Sequence, residues 1–125
     1  LNQLLEESDA LTIHTPLTDQ TKNLITRQEI DRMKQGALLI NTARGGIVNE
    51  KDLFDALAAN KIKAGVDVLT EEPPKSGNIL LDAPNIMMTP HIGWASYESR
   101  QRLVKGLIHN IELYLAGRAD EVSVN

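Results

Sequence analysis

Ala37-Leu38-Leu39-Ile40-Asn41-Thr42-Ala43-Arg44-Gly45-Gly46 is the stretch on which the fold reading turns. Ala37 to Ile40 are continuously apolar, the pattern of a short strand buried on both faces, and the run stops at Asn41 before an Arg-Gly-Gly loop. Downstream, Asn49 can cap a helix whose acidic start, Glu50 and Asp52, suits the positive end of the helix dipole. Leu53, Ala56 and Leu57 share the inward face of that helix, Asn60 ends it, and Ala64 to Val68 form the next apolar strand. Upstream, Thr26 and Glu29 form a capping-box pair ahead of Ile30 and Met33, with Gly36 as the stop. Before them, Leu1, Leu4 and Leu5 fall at helical spacing, and Ala10 to Ile13 form a strand that gives way to a loop at Pro16.

Towards the C-terminus, residues from about Thr70 to Asn85 hold three of the five prolines, with Gly77 and Asn78 as turn formers, and read as a long surface loop. Long loops of this kind often carry function. Ile86 to Met88 make a last short strand ending at Thr89-Pro90-His91. Ser96 to Ala116 read as a helix roughly 30 Å long, with Leu103, Leu107, Ile108, Ile111 and Leu115 on its apolar face and Gly117 as its stop. Strands alternating with helices predict the α/β class, with a parallel, doubly wound sheet. Ligands of such sheets gather at the carboxyl ends of the strands.

Composition narrows the chemistry. With 125 residues, 42% apolar and 24% charged, the chain fits one soluble domain with a core. Acidic side chains outnumber basic ones by 17 to 13 without a run of one sign, which argues against a nucleic-acid partner. There is no cysteine, so thiol redox chemistry and thiolate metal sites are excluded. No apolar run approaches the roughly 20 residues of a membrane helix, and no basic-then-apolar leader is present; no membrane partner and a cytoplasmic location are the expectation. The three histidines lack metal-ligand spacing, and neither a nucleophile elbow nor a glycine-rich phosphate loop occurs.

Three reactive side chains stand at successive strand ends: Arg44, Glu72 and His91. Arginine offers a forked, permanent charge for a carboxylate; histidine exchanges a proton near neutral pH; a carboxylate beside that histidine orients it and favours its charged form. Together they suit a small oxo acid, with arginine on the acid group and histidine as proton donor to the carbonyl oxygen, or as base in reverse. Taken singly, each has an ordinary reading as a loop residue. His14 and His109 read as structural or surface. Asp67, set within an apolar stretch, must find hydrogen-bond donors from the backbone or from a ligand amide.

Four motifs then occur in order: His14-Thr15-Pro16-Leu17-Thr18, Asn41-Thr42-Ala43-Arg44-Gly45-Gly46, Gly65-Val66-Asp67-Val68 leading to Glu71-Glu72-Pro73, and Thr89-Pro90-His91-Ile92-Gly93. In this spacing the chain resembles the D-isomer-specific 2-hydroxyacid dehydrogenases over nearly its whole length. The resemblance implies a Rossmann-like domain, an NAD or NADP cofactor, a small 2-oxo or D-2-hydroxy acid substrate and a homodimer. It implies that Arg44 binds the substrate carboxylate, that His91 exchanges the proton and that Glu72 pairs with His91. It places Thr15 and Pro16 on the adenosine side of the cofactor and Thr42, Ala43 and Arg44 along its nicotinamide end. Asp67 is then on the carboxamide, with His91 and Gly93 bordering the ring. Trp94 is similar to the tryptophan common in the hydroxypyruvate reductase and glycerate dehydrogenase branch.

The family's glycine-rich fingerprint and ribose-reading acidic residue are absent from these residues, as is its substrate domain. The expectation is therefore the second half of a nucleotide-binding domain over residues 1–95, followed by a long linking helix and tail over 96–125. Alone it would bind cofactor weakly or not at all, and the choice between NAD and NADP is not written in it. The tail from Asp120 to Asn125 keeps only a loose likeness to the family's ending. Two other readings are a cofactor-sensing interaction protein of the corepressor type and a non-catalytic fragment.

Overall fold

The computed structural model describes residues 1–122. The chain divides into a first compact unit, Leu1–His91, and a second that begins at Ile92. The order in the first unit is α1 (Asn2–Glu7), β1 (Ala10–Ile13), α2 (Arg27–Arg32), β2 (Leu38–Asn41), α3 (Glu50–Ala58), β3 (Lys63–Val66) and β4 (Ile86–Met88). The strands form one sheet in the order β1-β2-β3-β4, every neighbouring pair parallel. This is the α/β architecture that the alternation of strands and helices predicts.

Strand register explains where the core lies. Leu11, Leu39 and Ala64 are partners across three strands, as are Ile13, Asn41 and Val66 in the next row, and all six are buried. The apolar five share one core with Leu5 of α1, Ile30 of α2, and Leu53, Ala56 and Leu57 of α3. The opposite face carries Thr12, Leu38, Ile40 and Lys63, none of them fully buried. The expectation that β2 is covered on both faces is thus corrected. Side chains alternate along a strand, and the three helices bury only the face that Leu39 occupies.

Local signals set the helix ends. The Glu29 carboxylate accepts hydrogen bonds from the Thr26 backbone N–H at 2.9 Å and hydroxyl at 2.6 Å, starting α2. Asn49 Oδ1 accepts from the Asp52 N–H at 3.0 Å, starting α3. Gly36, beyond α2, takes a φ of 76° that few side chains tolerate.

Two predicted boundaries shift. Strand β3 ends at Val66 rather than Val68, leaving Asp67 and Val68 buried just past it. The long loop is not all surface, because residues Ile79–Asp82 form a 3-10 turn. Asn78 Oδ1 accepts from the Leu80 N–H at 2.9 Å, and the Leu80 side chain, 1% exposed, joins the core. One apolar residue in a polar loop gives no periodic signal, so its burial is a tertiary event.

In the second unit, α4 (Tyr97–Leu115) starts where Ser96 Oγ accepts from the Ser99 N–H at 3.1 Å. Leu103, Leu107, Ile108, Ile111 and Leu115 are exposed along it, whereas Leu113 is buried. A 3-10 turn at Ala119–Glu121 follows, and the tail residues 123–125 lie outside the described residues. Among the described residues no helix is long and apolar enough to cross a membrane.

The asymmetry of the sheet has a measurable consequence. Leu39→Ala should lower the unfolding free energy by about 2–5 kcal/mol, the usual cost of emptying a buried leucine site. Thr12→Ala, at an exposed position on the opposite face, should change it by no more than about 0.5 kcal/mol. Urea denaturation of both variants checks the difference, and equal costs would contradict the one-sided core.

Candidate active site

The carboxyl ends of β2, β3 and β4 deliver three loops to one edge of the sheet, as parallel pairing requires. The loop after β2 is held from its first residue. The Asn41 side chain, 3% exposed, donates from Nδ2 to the Arg44 carbonyl at 2.9 Å and accepts at Oδ1 from the Ala43 N–H at 3.1 Å. Its backbone carbonyl accepts from the Asp67 N–H at 3.0 Å, tying this loop to the one after β3.

Gly45 brings the two loops closer still. A Cβ at Gly45 would lie 1.9 Å from the Leu69 carbonyl oxygen, so only glycine allows this backbone approach. Leu69 in turn donates its N–H to Glu72 Oε1 at 2.6 Å. The other carboxylate oxygen, Oε2, accepts from His91 Nδ1 at 2.5 Å. A carboxylate can only accept, so Nδ1 carries the proton of this pair. Burial pushes the Glu72 carboxyl up, but the His91 bond, the Leu69 N–H and the His91 charge outweigh it and hold the group below its ordinary value. His91 itself has a φ of 52°, a left-handed backbone uncommon outside glycine and typical of sites where geometry is imposed.

Beside the pair lies a cavity of about 440 Å3 whose walls include Asp67, Glu72, Leu81, Met88, Thr89 and His91. That volume is within the range of small-ligand sites. The Asp67 side chain, 5% exposed, accepts a hydrogen bond from the Thr89 hydroxyl, and the Thr89 N–H donates to the Val66 carbonyl at 3.0 Å. A carboxylate set among apolar walls in this way is an acceptor at a small-ligand-sized cavity.

Glu72 and His91 are therefore brought together, 19 residues apart in sequence. Arg44 is on the adjoining loop, exposed, with Nη1 donating to its own neighbour's carbonyl, Ala43 O, at 2.7 Å. It is not a wall of the cavity. Thr15 and Pro16 lie exposed after β1, where the Pro16 carbonyl accepts from the Thr21 hydroxyl at 2.7 Å. Thr42 is exposed and Ala43 half-buried in the β2 loop. Gly93 and Trp94 form a turn in the second unit, with Trp94 55% exposed.

Three residues of this neighbourhood escaped the sequence reading of the site. Asn41 ends a strand and opens the second motif without a role of its own, although a polar residue closing an apolar run signals a buried amide. Thr89 stands two positions before His91, and its pairing with Asp67 follows from the β3–β4 register. Glu50 looked like a helix-start acid; its carboxylate in fact accepts from the Thr70 N–H at 2.7 Å and from Asn78 Nδ2 at 2.8 Å. No local pattern announces that reach. Among the described residues no group of three or more His, Cys, Asp or Glu side chains is arranged to hold a metal ion.

With this geometry established, known proteins supply the context. Glycerate dehydrogenase of Methylorubrum extorquens is 49% identical over 125 residues, which cover 98% of this chain and 40% of the relative. Hydroxypyruvate reductase of Blautia hydrogenotrophica is 42% identical, covering 94% of this chain and 37% of the relative. The crystal structure of the D-isomer specific 2-hydroxyacid dehydrogenase of Lactobacillus delbrueckii ssp. bulgaricus in its NAD-complexed form superposes with a TM-score of 0.87 at 29% identity. That superposition covers 100% of this chain and 42% of the solved one. The chain thus spans about 40% of the length of the relatives it matches. The family described as D-isomer specific 2-hydroxyacid dehydrogenase, NAD binding domain, matches residues 1–93, and the chain belongs to that family.

Proposed function

We propose that the whole protein carrying this chain interconverts a small 2-oxo acid and the corresponding D-2-hydroxy acid with NAD or NADP, hydroxypyruvate and glyoxylate being the first substrates to consider. The observation that carries the reading is the Glu72–His91 pair beside the cavity floored by Asp67. A bound reduced nicotinamide supplies the hydride received by the carbonyl carbon. His91 gives its Nε2 proton to the carbonyl oxygen as charge develops there, and takes it back from the hydroxyl in the reverse direction. Glu72 fixes the Nδ1 tautomer and stabilises the imidazolium. Arg44, exposed and permanently charged, swings from the Ala43 carbonyl to hold the substrate carboxylate.

In the same reading Asp67 accepts from the carboxamide of the cofactor. Thr42, Ala43 and Arg44 follow its nicotinamide end, Thr15 and Pro16 line its adenosine side, and His91 and Gly93 border the ring. Residues 1–95 act as the second half of the cofactor domain and 96–125 as a linking helix and tail. The protein works in the cytoplasm as a homodimer, for which the exposed apolar side chains of α4 offer surface, and takes neither nucleic acid nor membrane as partner.

Steady-state kinetics of the full-length protein with each reduced nicotinamide test the assignment. His91→Gln should lower kcat by about 100- to 10,000-fold, the usual share of a positioned acid–base group, with cofactor affinity retained. Undiminished turnover would remove His91 from the chemistry. Arg44→Gln should lower kcat/KM for the oxo acid on the order of 10- to 100-fold through the lost charged hydrogen bonds; an unchanged value would place the substrate carboxylate elsewhere.

A third outcome concerns acid. The folded protein holds Glu72 below its ordinary 4.5, so the unfolded chain takes up the proton first on acidification. The resulting stabilisation is present above 4.5 and is lost as the pH falls through the lower folded value. Wild type should therefore lose its stability advantage over Glu72→Gln on acidification through that window, as read by urea denaturation at a series of pH values.

A further inference from the structure

The loop that carries Glu72 leaves β3 at Val66 and does not return to the sheet until Ile86. A segment of that length needs fixing if one of its carboxylates is to orient an imidazole. One side chain from a different element reaches it at two places. Glu50, in the first turn of α3, accepts from the Thr70 N–H at 2.7 Å through Oε1 and from Asn78 Nδ2 at 2.8 Å through Oε2. Thr70 and Asn78 flank Glu72, and Asn78 simultaneously caps the turn that drives Leu80 into the core. The adjacent residue, Leu69, supplies the N–H that holds Glu72 Oε1.

We infer that Glu50 is a positioning residue for the acid–base pair: its ionised carboxylate clamps the loop on both sides of Glu72 and so sets the Glu72–His91 bond. Only a carboxylate serves, because both partners are donors. Glutamine keeps the shape but presents one acceptor and one N–H2, so one of the two contacts becomes donor against donor. Aspartate keeps the charge and loses about one bond of reach. A carboxylate in the first helical turn also lies near the positive end of the α3 dipole. The charged groups around the pair are Asp67, which raises the Glu72 carboxyl, and His91, which lowers it. Asp52, in the same turn as Glu50, is engaged by the Arg27 N–H at 3.0 Å.

This inference rests on the function proposed above, and its test separates the two. In the full-length protein, Glu50→Gln should lower kcat roughly 10-fold or more, on the order expected for one lost charge-assisted contact, with little change in KM for NADH or NADPH. The Glu72 carboxyl, followed by carbon-13 NMR of labelled glutamate, should titrate closer to its ordinary value, and the acid limb of the kcat profile should move to higher pH with it. The Leu69 and Thr70 amides should exchange faster with solvent. Asn78→Asp keeps an acceptor for the Leu80 N–H but sets a carboxylate against Glu50, and should move the same readouts in the same direction. Asp55→Asn, which removes the exposed α3 ion pair with Lys51, should move none of them.

A lowered melting temperature in Glu50→Gln, with the Glu72 titration and acid limb unmoved, would overturn the inference and leave Glu50 a helix-start residue. Should Glu50→Gln fail to fold, Asn78→Asp decides by the same criteria. If wild type turned over no 2-oxo acid, the proposed function would fall, while the Glu72 titration and amide exchange would still judge the clamp.

Discussion

The buried amide of Asn41 is the constraint on which the site's geometry depends. It sits in the same row of the sheet as Ile13 and Val66, where an apolar residue would simply add to the core. An amide placed there must satisfy its hydrogen bonds or destabilise the fold. Its side chain does so by curling the next residues back on themselves, to the Ala43 N–H and the Arg44 carbonyl. The tight loop that results carries Gly45 against the Leu69 carbonyl and presents Arg44 at the strand end. A packing requirement in the sheet thereby becomes the placement of the loop that carries Arg44.

From that contact the remaining order propagates through the backbone. Leu69 meets Gly45 with its carbonyl and Glu72 with its N–H, so one peptide neighbourhood links the loop after β2 to the carboxylate facing His91. The loop's far side is held by Glu50 and by Leu80 in the core. Histidine orientation then rests on several weak restraints acting together, an arrangement in which each single contact is modest but the pair has little freedom to drift.

The electrostatics follow the same geometry. Two carboxylates line one cavity, and their environments differ. Asp67 is buried and receives the Thr89 hydroxyl, whereas Glu72 is partly open and receives an imidazole and a backbone N–H. Under the proposed function that difference suits Glu72 to orienting the imidazole and Asp67 to accepting from a neutral donor.

Much of this was legible in the residues alone. Alternating apolar strands and capped helices specified an α/β unit, because the periodicities of 2.0 and 3.6 and the caps at Thr26 and Asn49 are local physics. The placement of an arginine, a carboxylate and a histidine after successive strands was also legible at Arg44, Glu72 and His91, since side-chain type limits what each can do. What needed the tertiary structure was everything that depends on distance. Which face of β2 is covered, that Leu80 enters the core, that Gly45 meets Leu69, and that Glu50 spans Thr70 and Asn78 are contacts between segments far apart in the chain. Periodicity and capping describe a residue's relation to its neighbours in sequence; only the closure of the sheet brings three strand ends to one edge and decides which side chains meet there.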